Sequence, residues 1–216
     1  TEPDADQLYR LRHKERELIL FYDDILLDRQ TCLELKCGRD DGKIAVYGDH
    51  RLRSGAQDMT VREYGWGREY RFEFSRPQYD LSVLEVPPEE PYLQEFAYLR
   101  TDGAETERSR QFNLRLKLAV PLAEGDDIFL EISYPGDVAH LYLAGRLIAD
   151  DFCKGIPWRV GLKRFLQGMQ IDLVLQIIPC NTAKDIYLER KLKYSDDGQP
   201  AVHIQYQHSL RLEVEE

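Results

Sequence analysis

The chain contains no apolar run that approaches the ~20 residues needed to cross a bilayer, and nothing at its start reads as a signal peptide. It has no excess of positive charge: 29 Lys and Arg stand against 39 Asp and Glu, a formal net charge of −10. A summed field of that sign repels phosphate backbones and anionic lipid surfaces, so neither nucleic acid nor a membrane is expected as a partner. Cysteine is sparse, with Cys32, Cys37, Cys153 and Cys180 making up the whole set. They form no C-x-x-C pair and no His lies at metal spacing from them, so they read as buried thiols rather than zinc ligands. Whether Cys153 and Cys180 pair is left open. The motifs G-x-S-x-G, H-E-x-x-H, G-x-G-x-x-G and the P-loop are all missing, and with them the common local signatures of hydrolases and nucleotide binders. No catalytic residue, metal centre or cofactor is therefore expected. The chain opens on Thr1-Glu2-Pro3-Asp4 without a Met, which reads as a piece of a longer polypeptide. Its compartment, cytoplasmic or secreted, is left open.

What is present is a period of two. Phe112, Leu114, Leu116, Leu118 and Val120 alternate with Asn113, Arg115 and Lys117, the pattern of a half-buried strand. Ile171, Leu173, Leu175 and Ile177 repeat it, as do Leu18, Leu20 and Tyr22, then Leu33, Leu35 and Cys37, then Tyr70, Phe72 and Phe74. A longer run from Val202 to Val214 alternates throughout, and a strand of that length is expected to carry a bulge or bend. Turn signals separate the runs at Asp40-Asp41-Gly42, Gly65-Trp66-Gly67, Gly125-Asp126-Asp127, Pro135-Gly136 and Ser195 to Gly198. The expected fold class is all-β, antiparallel sheets in a β-sandwich or jelly roll, with one or two short helices. The helical candidates are residues 5–17, alternatively a disordered lead-in, and Trp158 to Gln167. The Pro-rich stretch 86–91 suggests a boundary, giving an N-terminal β region over 1–90 and a jelly roll over 91–216. One sandwich and two sub-sandwiches both remain open.

Five adjacent Asp pairs occur, and carboxylate pairs are what glycosidases use. Neighbouring Asp residues in Gly-rich turns are ordinarily solvated turn formers. That reading also leads for Asp150-Asp151, with a ligand or calcium contact as the alternative because the pair follows a strand and precedes Phe152. His203 and His208 fall on opposite faces of a strand and cannot share a metal.

The most informative stretch is 131–165. A strand turns at Pro135-Gly136, and a second strand enters a two-residue hairpin at Ala144-Gly145. The segment Leu147-Ile148-Ala149-Asp150-Asp151-Phe152 follows, then Gly155-Ile156-Pro157-Trp158 and Gly161-Leu162-Lys163-Arg164-Phe165. Over roughly 126–190 this resembles the galactose-binding-like jelly roll that follows the barrel in family 35 glycoside hydrolases of the β-galactosidase type. Ala144 stands where that family usually has Asn or Asp. The resemblance implies a non-catalytic accessory domain that packs against a catalytic domain of the same polypeptide and contacts a galactoside or polysaccharide. The family's catalytic carboxylates sit on a (β/α)₈ barrel of ~250 residues, so none carries over.

Sugars bind aromatic surfaces with a few polar groups nearby, and the chain has two tryptophans, both beside turns. Trp158, with Tyr142, Asp151 and Arg159, and separately Trp66, are the candidate carbohydrate-binding residues. The competing reading makes Trp158 a core anchor with Ile156, Val160, Leu162 and Phe165. Two further functions stand as alternatives: an independent carbohydrate-binding module, and a stand-alone jelly-roll enzyme.

Overall fold

The structure, a computed structural model, describes residues 8–14, 16–22, 25–29, 31–55, 58–87, 109–178 and 198–215. Within them the alternation builds antiparallel sheets, and the chain divides into two compact units. Unit one comprises 1–76, 122–127 and 206–216; unit two comprises 77–121 and 128–205.

Unit one is a β-sandwich. Its first sheet has the order β1 (Leu8–His13), β2 (Arg16–Tyr22), β5 (Asp41–Tyr47), β8 (Gly67–Glu73), β7 (Met59–Tyr64). Opposite it β3 (Ile25–Asp28) pairs β4 (Leu33–Cys37), and β4 pairs β16 (Ala201–Val214), which also pairs the short β6 (Leu52–Arg53). Leu18, Leu20, Ile44, Val46, Tyr70 and Phe72 from the first sheet meet Leu33, Leu35, Cys37, Leu210 and Leu212 from the second. Burying side chains from both inner faces is what makes two half-apolar sheets stable together. Gly42 is required here, because a Cβ on it would lie 2.2 Å from the Phe72 ring.

Unit two has a five-stranded sheet in the order β13 (Arg146–Phe152), β12 (Val138–Leu143), β15 (Gln170–Ile178), β10 (Arg110–Leu118), β9 (Tyr79–Val86). Phe112, Leu114, Leu116, Leu118, Ile171, Leu173, Leu175 and Ile177 form its buried side, as the alternation required. β11 (Asp127–Ser133) pairs β14 (Trp158–Gly161) and buries Ile128, Leu130, Ile132, Trp158 and Val160. The hairpin at Ala144-Gly145 forms as expected, with φ of 49° and 78°. The primed turn that suits the twist of a hairpin needs both residues left-handed, and Ala144 adopts that conformation without the help of a glycine.

Several expectations are corrected. Residues 8–13 are a strand and not a helix or lead-in: they pair with 16–22, whose strand character from Leu18 on was expected. Although charged, the segment alternates: Leu11, His13, Leu18 and Leu20 turn inward while Arg10, Arg12 and Glu17 turn out. Trp158–Gly161 is a strand, and only Lys163–Phe165 after it makes a single 3-10 turn. Asp150-Asp151-Phe152 belongs to β13 instead of following it. β10 ends at Leu118, which leaves Val120 exposed. β16 runs unbroken over fourteen residues and keeps its register against β4 over His208–Leu212, while a register shift falls between Leu141 and Tyr142 in the β12–β13 pair. Asp126 is not a solvated turn former: it is buried and accepts the Ser209 N–H at 2.8 Å. Residues 88–108, 179–197 and Asp23-Asp24, and with them Cys180 and most of the Pro-rich stretch, lie outside the described residues. Among the described residues no helix is long and apolar enough to cross a membrane.

Candidate carbohydrate groove

The first sheet in unit one carries a shallow groove on its exposed side. β7 and β8 are joined by a tight turn, with Tyr64 opposite Gly67 and Trp66 at its tip. Gly67 also sits opposite Tyr47 of β5, and a Cβ there would lie 2.1 Å from the Val46 carbonyl oxygen. Only glycine lets β8 start this close to β5. The approach places the Trp66 ring between two tyrosines: its centroid is 4.8 Å from Tyr47 and 5.0 Å from Tyr64, the latter at an interplanar angle of 7°. Two further bonds tie the neighbouring turns together. Gly48 N–H donates to the Trp66 carbonyl at 3.0 Å, and Arg68 Nη1 donates to the His50 carbonyl at 3.3 Å.

Beside this block runs a groove of about 760 Å³. Its lining combines the apolar Ile19, Tyr47 and Trp66 with the polar Arg10, Glu17 and His50, and Tyr9 of the edge strand β1 also borders it. Arg10 and Glu17 form an ion pair. Tyr9 is itself stacked on Tyr22 at 4.5 Å, and burial, then the Tyr9 hydroxyl, push the Tyr22 phenol above its ordinary pKa. The groove is therefore an apolar, aromatic trough with forked donors and acceptors at its edge, the make-up of a site for a ring-shaped, hydroxylated ligand.

The residues singled out from sequence fall in both units. Trp66 is in this groove. Trp158 is 9% exposed and stands across from Ile132, with its ring 6.4 Å from Tyr134 and edge-on to it. Val160 and Leu162 are buried beside it in the chain. Tyr142 is 1% exposed and its hydroxyl lies 3.2 Å from His140 Nδ1. Asp151 accepts the Tyr134 hydroxyl at 2.9 Å, and Lys154 Nζ is 3.7 Å away. Arg159 points away from Trp158, lying over the Phe129 ring at 3.8 Å. Tyr134, which the sequence reading passed over, joins Trp158 to Asp151. Burial and then the Asp151 charge push its phenol well above the ordinary value. Tyr47 and Tyr64 were also passed over; the aromatic flank of the Gly65-Trp66-Gly67 turn was the available signal.

Unit one also holds a buried polar group. Glu34 accepts from Arg29 Nε at 2.8 Å, from Lys36 Nζ at 2.9 Å and from Ser209 Oγ at 2.8 Å. The Lys36 hydrogen bond, then those of Arg29 and Ser209, hold its pKa down at about 2. Nearby, His208 is buried with Nδ1 3.3 Å from Asp126 and its ring stacked on Phe74 at 4.5 Å. Glu85, paired with Arg110, and Asp172, paired with Arg115, are likewise held below the usual carboxylate range. Such carboxylates are ionised ion-pair partners at neutral pH, whereas a general acid needs a raised pKa. In unit two, burial lowers the His140 pKa against the opposing Asp150 charge and raises that of the free Cys153 thiol.

Fold and groove together define an antiparallel β-sandwich protein with an aromatic trough on one outer sheet face. No family model and no curated protein matches the chain. Among solved structures it is similar to a rhamnosidase from Novosphingobium sp. PP1Y, with 11% identity, a TM-score of 0.34, and coverage of 97% of this chain and 24% of that one. It is also similar to the GH31 alpha-xylosidase Xac1773 from Xanthomonas citri, with 11% identity, a TM-score of 0.27, and coverage of 94% and 27%. The chain spans about a quarter of the length of these two structures, and likenesses at these scores assign nothing to it.

Proposed function

We propose that this chain is a non-catalytic accessory β-sandwich of a glycoside hydrolase of the β-galactosidase type, and that its first unit contacts carbohydrate. The parent class is supported by the resemblance over 126–190. The sugar contact is supported by one observation: a groove lined by Ile19, Tyr47 and Trp66 beside the Arg10–Glu17 pair. A pyranose ring offers a C–H face that an aromatic floor desolvates, while its hydroxyls need donors and acceptors at the edge. Unit two supports the second half of an accessory role, packing on a catalytic domain. Its edge strand β9 exposes Tyr79 and Val83 on one face and Leu84 on the other, and apolar side chains exposed along an edge strand suit an interaction surface.

Titration with galactosides and plant polysaccharides under tryptophan fluorescence tests the sugar contact. The emission is expected to change on saturation, and Trp66→Ala is expected to abolish the change. Saturating sugar that leaves both emission and melting temperature untouched would refute it.

A further inference from the structure

Gly67 leaves a gap in a row of side chains, and Trp66 fills it. Tyr47 of β5 and Tyr64 of β7 both stand opposite Gly67 of β8. Strands spaced ~4.8 Å apart put those two tyrosines about 10 Å from each other. The Trp66 ring lies 4.8 Å from the first and 5.0 Å from the second, so it stands midway between them, over the glycine. Both faces of the indole are therefore taken by tyrosines, and a ligand in the groove reaches only its edge. The row continues on the other side of Tyr47. The pairing of Leu20 with Val46 puts Ile19 beside Tyr47, and Ile19 stands directly opposite Arg10. Ile19 is 42% exposed. It is shorter than Tyr47 on one side and Arg10 on the other, and Arg10 is ion-paired with Glu17. All four line the groove.

We infer that Ile19 is the seat of the ligand, that the seat takes one sugar ring held between Tyr47 and the Arg10–Glu17 pair, and that Trp66 is a positioning residue that supports Tyr47 from behind. This rests on the carbohydrate reading and adds to it the size of the ligand and the residues that touch it. Ile19 and the side of Tyr47 turned away from Trp66 meet the C–H groups of the ring. The guanidinium of Arg10 and the carboxylate of Glu17 offer donors and acceptors to its hydroxyls. The walls of the seat belong to β1 and β5, two strand spacings or about 10 Å apart, which suits a single pyranose. Further units of a longer glycan lie beyond those walls and add little. The stack of Tyr64, Trp66 and Tyr47 fixes the Tyr47 wall before any ligand arrives, which lowers the ordering cost of binding.

The test is calorimetric titration of the whole chain with methyl glycosides of galactose, glucose and xylose and with their di- and tetrasaccharides. For at least one sugar, the monosaccharide is expected to bind, with an affinity within about threefold of that of its tetrasaccharide. Ile19→Tyr, which fills the seat, is expected to weaken that binding about tenfold or more. Ile19→Thr, which keeps a β-branched residue at this exposed strand position, is expected to weaken it with an unchanged melting temperature. Trp66→Ala is expected to weaken binding about tenfold, whereas Trp66→Phe, which keeps a ring between the two tyrosines, is expected to stay within about threefold of wild type. Unchanged affinity in both Ile19 variants, a tenfold rise from mono- to tetrasaccharide, or equal losses in Trp66→Phe and Trp66→Ala would overturn this inference while leaving the carbohydrate reading intact. Absence of binding by every sugar would overturn both.

Discussion

Replacing Glu34 by Gln removes a charge that the fold holds in three hydrogen bonds. The folded-state pKa of about 2, against an ordinary 4.5, corresponds to roughly 3 kcal/mol if the whole shift is counted at ~1.4 kcal/mol per unit. Arg29 is largely exposed, with 56% of its side chain accessible, and its share is screened by solvent. About 1–2 kcal/mol is the expected loss in Glu34→Gln at neutral pH. Lys36 keeps the Gly125 carbonyl as an acceptor at 2.6 Å, which limits the damage. The sign follows from the depressed pKa. The native state binds fewer protons than the unfolded chain, so the contribution is complete above pH 4.5 and is lost as pH falls toward 2. Urea unfolding of wild type and variant from pH 7 to pH 2 measures it. The stability gap is expected to be constant at pH 6–7, to narrow below pH 4.5 and to close near pH 2. Parallel curves across that window would show that Glu34 gives the fold no ionised anchor.

Ala144→Asn is expected to raise stability by about 0.5–1 kcal/mol, read as a higher melting temperature, because Asn tolerates the left-handed φ of 49° that Ala adopts there at a cost. Gly67→Ala is expected to destabilise the chain and to impair sugar binding together, since its Cβ would overlap the Val46 oxygen at 2.1 Å. The readouts are denaturant midpoint and calorimetry. Trp158→Ala is expected to cost about 3–5 kcal/mol through loss of a large buried ring, seen as a sharp drop in the urea midpoint.

Much of the fold was legible in the sequence because a strand's two faces are written in alternate residues. β10, β15 and the inner faces of β2, β4 and β8 follow directly from that period. The first strand of the opening hairpin was not legible because Arg10 and Arg12 face solvent and make the segment look uniformly charged, while only Leu11 and His13 record the inward face. Glu34 shows the converse limit. Alternation placed it outward on β4, and it is outward, yet Arg29, Lys36 and Ser209 enclose it. The groove was half legible. Trp66 stood out as a tryptophan in a turn, but Tyr47 reaches it through the pairing of β5 with β8, and cross-strand register is not written in local spacing. Trp158 and Tyr142, equally prominent as aromatic residues near turns, are packed inside unit two.

With two tryptophans in the chain, a ¹⁵N–¹H correlation spectrum carries two indole N–H signals, one from the groove and one from the buried core of unit two. Adding a neutral oligosaccharide should shift the Trp66 indole signal in a saturable way and leave that of Trp158 in place. A shift confined to Trp158, or no shift of either at saturating sugar, would contradict the assignment of carbohydrate contact to the Trp66 groove.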